Sequence, residues 1–111
     1  MSENKALHKC TIAGTEYTFQ RLAFKNGAFI AISDTEPPRI GGLTVALSAG
    51  SRVDVNTVIP LKTGYMPQRI MSELLAKEIG GIVILTFNME KGLDAEEART
   101  LIDEVRRWLK N

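Results

Sequence analysis

The stretch PQRIMSELLAKEIGGIVILTF, residues 67–87, changes its period halfway, and that change decides the fold class. From Pro67 to Ile79 the apolar residues Ile70, Met71, Leu74, Leu75 and Ile79 recur at helical spacing. Arg69, Ser72, Glu73 and Lys77 lie opposite them, which predicts an amphipathic helix. Pro67 suits the first turn, where its missing N–H would have had no partner, and Gly80-Gly81 supplies a left-handed stop. Ile82 to Phe87 follows at once. It is too short for a core helix, and its uniform hydrophobicity places it in the interior of a sheet.

Toward the C-terminus, Asp94 and Glu97 form a capping-box pattern, and Ala98, Leu101, Ile102, Val105 and Leu109 repeat behind it at helical spacing. Arg106, Arg107 and Lys110 complement the dipole at the far end of this second helix. Toward the N-terminus the period is two. Leu7 to Ala13 alternates with His8, Cys10 and Ile12 on one side, and Ala13-Gly14-Thr15 turns the chain. Glu16 to Phe24 is extended, but its apolar face shifts from Tyr17 and Phe19 to Leu22 and Phe24, a slip of parity that predicts a bulge near Gln20 or Arg21. The Asn26-Gly27 pair predicts a hairpin into Ala28 to Ser33, whose two apolar faces place it mid-sheet with cover on both sides. Asp34 to Gly42 holds Pro37-Pro38 and Gly41-Gly42 and must be a loop. Leu43 to Ser48 and Val53 to Leu61 are strands four and five. Five strands, a helix, a strand and a helix make an α+β fold: a mostly antiparallel sheet of about six strands with two helices packed on one face.

The 111 residues give room for one domain, residues 7–111, behind a polar N-terminal end, residues 1–6, expected to be frayed. Hydrophobic residues at 44% and charged residues at 24% are the balance of a globular chain, and a net charge of +1 gathers neither nucleic acid nor an anionic membrane. The N-terminus carries no secretory pattern, and no apolar run approaches the roughly twenty residues of a membrane span. A single cysteine, Cys10, rules out an internal disulfide and points to a reducing, cytoplasmic setting.

Little in the sequence is assembled for chemistry. His8 and Cys10 share a strand face and resemble a nucleophile pair, but no orienting acid or oxyanion donor lies near them in sequence, and a lone cysteine is most often simply buried. Gly41-Gly42 lacks the strand, glycine-rich loop and helix order of a phosphate site, and Gly80-Gly81 ends a helix where the dipole is negative. Asp94, Glu96, Glu97, Asp103 and Glu104 read as helix electrostatics, and Arg106, Arg107 and Lys110 beside Trp108 as a solvated helix end. The expectation is a non-enzymatic protein with no catalytic residues, no cofactor and no metal site.

What remains is surface. Two helices, each about 10 Å across, roof about one face of a six-stranded sheet spaced at about 4.8 Å, yet both faces carry apolar side chains. The second face needs a partner, and a symmetric dimer is the simplest way to bury it.

The layout from Leu7 to Leu109 resembles the proteasome assembly chaperone 3 family. The resemblance rests on the strand-turn-strand-hairpin of His8 to Ser33, on Ile40-Gly41-Gly42-Leu43-Thr44-Val45-Ala46-Leu47, and on the helix, glycine stop, strand and final helix from Ile70 to Trp108. It implies a small non-enzymatic chaperone, dimeric with itself or with a paralogue, that binds proteasome α-type subunits and assists ring assembly of the 20S core. The chain departs from the family in Thr35 to Pro38 and in Lys62 to Met66. Loops on a rigid sheet are where recognition sits, so Pro37, Pro38 and Arg39, with Tyr65 and Met66, are the candidate partner-binding residues. The alternatives are a small adaptor or scaffold of similar fold, and a ligand-binding or enzymatic domain using Cys10.

Overall fold

In chain order the elements are β1 (Leu7–Ile12), β2 (Thr15–Phe24), β3 (Gly27–Ser33), β4 (Gly42–Ala49), β5 (Arg52–Ile59), α1 (Met66–Ile79), β6 (Ile82–Asn88) and α2 (Ala95–Lys110). They come from a computed structural model that describes residues 6–61 and 66–110. Residues 1–5 of the N-terminal end expected to be frayed lie outside the described residues, and the Ala6 carbonyl accepts a hydrogen bond from the Arg21 N–H at 2.8 Å.

The six strands form one sheet in the order β1-β2-β3-β6-β4-β5. Every pairing is antiparallel except β3 with β6. The chain leaves β3, builds the β4–β5 hairpin two positions away, and returns through α1 to insert β6 into the gap. β6 thus has a strand on either side, with Val83, Leu85 and Phe87 buried against the helices and Ile82 and Ile84 on the opposite face.

Both helices lie on one face. Met71 and Leu75 of α1 and Leu101, Val105 and Trp108 of α2 are buried with Phe19, Ile30, Ile32, Val83, Leu85 and Phe87 in a single core. Several polar groups trapped in that layer between β4, β6 and α1 are paired, as burial demands. The Gln68 amide donates to the carbonyls of Gly42 at 3.0 Å and Leu85 at 3.3 Å, and the Thr44 and Ser72 hydroxyls bond each other between β4 and α1. The helix caps follow the sequence. The Glu97 N–H donates to Asp94 Oδ1 at 2.8 Å, the Asp94 N–H donates back to Glu97 Oε1 at 3.2 Å, and Gly80 ends α1 at a φ of 75°.

Three expectations are corrected. The bulge near Gln20 or Arg21 is absent: β2 runs against β3 in unbroken register from Thr18 opposite Ser33 to Phe24 opposite Gly27. The parity slip has another cause. Tyr17 and Phe19 face the helices, whereas Leu22 and Phe24 lie on the opposite face and are about 60% exposed. The second correction concerns Gly27, which opens β3 and has no turn conformation. A Cβ there would stand 2.0 Å from the Ile82 carbonyl oxygen, so the glycine serves the close approach of β6, and the hairpin turns through Lys25-Asn26. Third, β3 is covered fully on one face only. Its second face is covered near Ser33 and open near Phe29.

Candidate functional site

The register of the sheet assigns each side chain to a face, because residues opposite one another share it. Phe29 stands opposite Leu22 on one side and Ile84 on the other, and Ile84 stands opposite Val45. One row further along, Phe24 faces Gly27, Gly27 faces Ile82, and Ile82 faces Leu47. These residues make an apolar band across four strands on the face without helices. Leu22 is 60% exposed, Phe24 59% and Leu47 44%, while Phe29, Val45, Ile82 and Ile84 are half-buried. At its centre is a hollow of about 290 Å³ lined by Leu22, Phe24, Phe29, Ile82 and Ile84, where Gly27 withholds a side chain. Polar Asp54 and Asn56, opposite Leu47 and Val45 on β5, border the band.

The other end of the same face is closed by the chain itself. The loop after β3 folds back so that the Thr35 and Arg39 N–H groups donate to Ser33 Oγ, each at 3.2 Å, and the Gly41 N–H donates to Thr86 Oγ1 at 3.0 Å. Asp34 braces the loop from outside by accepting from the Glu90 and Lys91 N–H groups. Pro37, Pro38 and Arg39 are therefore exposed on a loop held at both ends. The Glu36–Pro37 peptide is cis, and Arg39 Nη1 pairs with Glu90 at 3.1 Å. Beside them a concavity of about 430 Å³ is lined by Ile40, Ile59, Pro60, Leu61 and Met89, among others.

Tyr65 lies outside the described residues. Met66 opens α1 at the end of the sheet where the Pro37 loop lies, since β5 ends beside the start of β4. Pro37, Pro38, Arg39 and the start of α1 at Met66 therefore gather at one end of the sheet, and the apolar band lies toward the other. The six residue steps from Gly27 to Ser33 separate them by about 20 Å. Leu22 and Phe24 are visible in the sequence as the slip of parity, whose cause is a second apolar face and not a bulge.

His8 and Cys10 face α2. The His8 ring stacks on Trp108, with centroids 6.3 Å apart, and approaches Phe19 at 5.5 Å. Burial, with the nearby Glu104 carboxylate adding to it, pushes the Cys10 thiol up to about 11, so the thiol is protonated at neutral pH and a poor nucleophile. No helix among the described residues is long and apolar enough to cross a membrane.

No protein-family model matches the chain, and no curated protein matches it. Among solved structures it is similar to a chain from a crystal structure of a chaperone complex for yeast 20S proteasome assembly. The identity is 11%, the superposition covers 93% of this chain and 96% of that chain, and the TM-score is 0.58. At that identity the likeness is one of fold, and it extends over nearly the whole domain.

Proposed function

We propose that this chain is a non-enzymatic assembly chaperone of the proteasome assembly chaperone 3 type. It pairs through its open sheet face, with itself or with a paralogue, and holds proteasome α-type subunits while the 20S ring assembles in the cytoplasm. The observation that carries the reading is the apolar band of Leu22, Phe24, Phe29, Ile84, Val45 and Leu47. An exposed contiguous patch on a β-sheet marks an interaction surface, and burying the same patch twice about a two-fold axis removes it from water without a second kind of interface. The fold shared with the yeast assembly chaperone complex supports the choice of client.

Pairing through the band leaves the far end free. The braced loop with Pro37, Pro38 and Arg39, together with Tyr65 and Met66, would then meet the client, and a loop already fixed by hydrogen bonds binds with little ordering cost. Release follows when later subunits compete for the same surface. Affinity capture on the immobilised chain from a host lysate tests the client. Recovery of α-type subunits, lost in a Pro38→Asp/Arg39→Glu variant that remains dimeric, is the expected result. Their repeated absence refutes the assignment, and reproducible capture of other proteins in their place favours an adaptor. The enzymatic alternative requires a reactive Cys10, which the raised thiol pKa disfavours.

A further inference from the structure

His8 and Cys10 lie two residues apart on the helix-facing side of β1, and α2 brings Glu104 to the same point. A nitrogen of His8, the Cys10 sulfur and a carboxylate oxygen of Glu104 all lie within 4.8 Å of one another. His8 Nε2 is 3.6 Å from Glu104 Oε2, too far for a good hydrogen bond, and it is shielded from solvent without a hydrogen-bond partner. A buried ring nitrogen in that condition asks for an explanation. We propose that His8, Cys10 and Glu104 form a site for a zinc-type divalent cation, with a fourth coordination position open to the adjoining concavity.

The donor set selects the ion. An imidazole nitrogen, a thiolate and a single carboxylate suit Zn²⁺ or Co²⁺, whereas Mg²⁺ and Ca²⁺ require oxygen shells. In a tetrahedral zinc site, bonds of about 2.0–2.3 Å place the ligand atoms roughly 3.3–3.7 Å apart. The His8–Glu104 pair already has that spacing, and the sulfur must close by at most about 1.5 Å. Neighbours orient the ligands, as outer contacts do in metal sites. Trp108 and Phe19 hold the His8 ring, and Arg107 Nη1 takes Glu104 Oε1 at 2.7 Å, leaving Oε2 toward His8. A concavity of about 480 Å³ beside Cys10 and Glu104 gives the ion its approach and the fourth ligand its place. As the ion binds, the thiol releases its proton to solvent. Asp94 and Glu97 border the same concavity but are committed to the helix cap. The site lies on the helix-covered side of the sheet, so it does not depend on the pairing or the client proposed above.

Titration of the full chain with Co²⁺ in a non-chelating reductant tests the site. The expected result is a sulfur-to-cobalt charge-transfer band and the visible bands of four-coordinate cobalt, saturating at one equivalent and displaced by one equivalent of Zn²⁺. Cys10→Ser should abolish the charge-transfer band, and His8→Gln and Glu104→Gln should each weaken binding at least about tenfold, with folding checked by circular dichroism. Zn²⁺ protection of Cys10 from alkylation in the unsubstituted chain reads the same site if a variant fails to fold. No charge-transfer band and no protection by stoichiometric metal overturns the proposal. So does a band of unchanged affinity in both His8→Gln and Glu104→Gln, which would mean a cysteine binding metal alone.

Discussion

Replacing Leu22 and Phe24 together by serine should turn a dimer into a monomer without unfolding it. Full burial of a Leu or Phe side chain is worth about 1.5–3 kcal/mol. With 60% and 59% of each side chain exposed in the single chain, the part available to a partner is about 1–2 kcal/mol per residue. A two-fold interface buries each residue twice, so the double substitution removes about 4–7 kcal/mol from the dimer, or roughly three to five orders of magnitude in dissociation constant. The cost to the monomer is small, because these side chains make less than half of their possible contacts within it. Light scattering and sedimentation at micromolar concentration should find the parent chain dimeric and the variant monomeric and folded, with the midpoint of thermal unfolding extrapolated to low concentration lowered by no more than about 10 °C. A parent that is monomeric under these conditions refutes the argument. A variant whose dissociation constant moves less than tenfold places the interface elsewhere.

Other expectations follow from single positions. Gly27→Ala should destabilise by at least about 2–3 kcal/mol, because its Cβ meets the Ile82 carbonyl oxygen at 2.0 Å, while Gly50→Ala, with open space and a φ of 66°, should cost about 1 kcal/mol. Equal losses in urea unfolding would contradict the packing role given to Gly27. Asp94→Ala removes the reciprocal cap of α2 and should cost about 1 kcal/mol by the same measurement, and no change would show the cap to be ornamental. Burial, reinforced by Asp34, Glu97 and Cys10, pushes the Tyr17 phenol up to about 12 from an ordinary value of 10.0. The unfolded chain therefore loses this proton first, and stability should fall as pH rises from about 10 toward 12. Tyr17→Phe should flatten that decline, and a decline of unchanged slope would assign it to other groups.

The elements were legible in the sequence because each is announced by its own neighbours: Gly80-Gly81 between a 3.6-residue period and an apolar run, Asp94 three residues before Glu97. The strand order was not, since nothing in the local pattern of Ile82 to Phe87 says that it inserts between β3 and β4 with one parallel edge. That long-range fact also changes the meaning of Gly27, which from sequence alone reads as half of an Asn-Gly turn and in the fold is the gap through which β6 passes. The cluster of His8, Cys10 and Glu104 was hidden for the same reason. Glu104 carried a sufficient local explanation as a charge on the last helix, and only the docking of α2 on β1 brings it to the other two.

The slip of parity in β2 shows how a correct observation acquires the wrong cause. A strand with apolar residues on one face and then the other either carries a bulge or has two apolar surfaces to serve, and hydrophobicity alone does not separate the two. The partner strand does. Leu22 stands opposite Phe29 and Phe24 opposite Gly27, at the end where β3 and β6 also present Phe29, Ile82 and Ile84 away from the helices. Tyr17 and Phe19 lie at the other end, where the loop from Asp34 to Gly41 covers the open face through Ser33 and Thr86. The change of apolar face in β2 thus falls where the chain stops covering its own sheet, which is where a partner has something to bury.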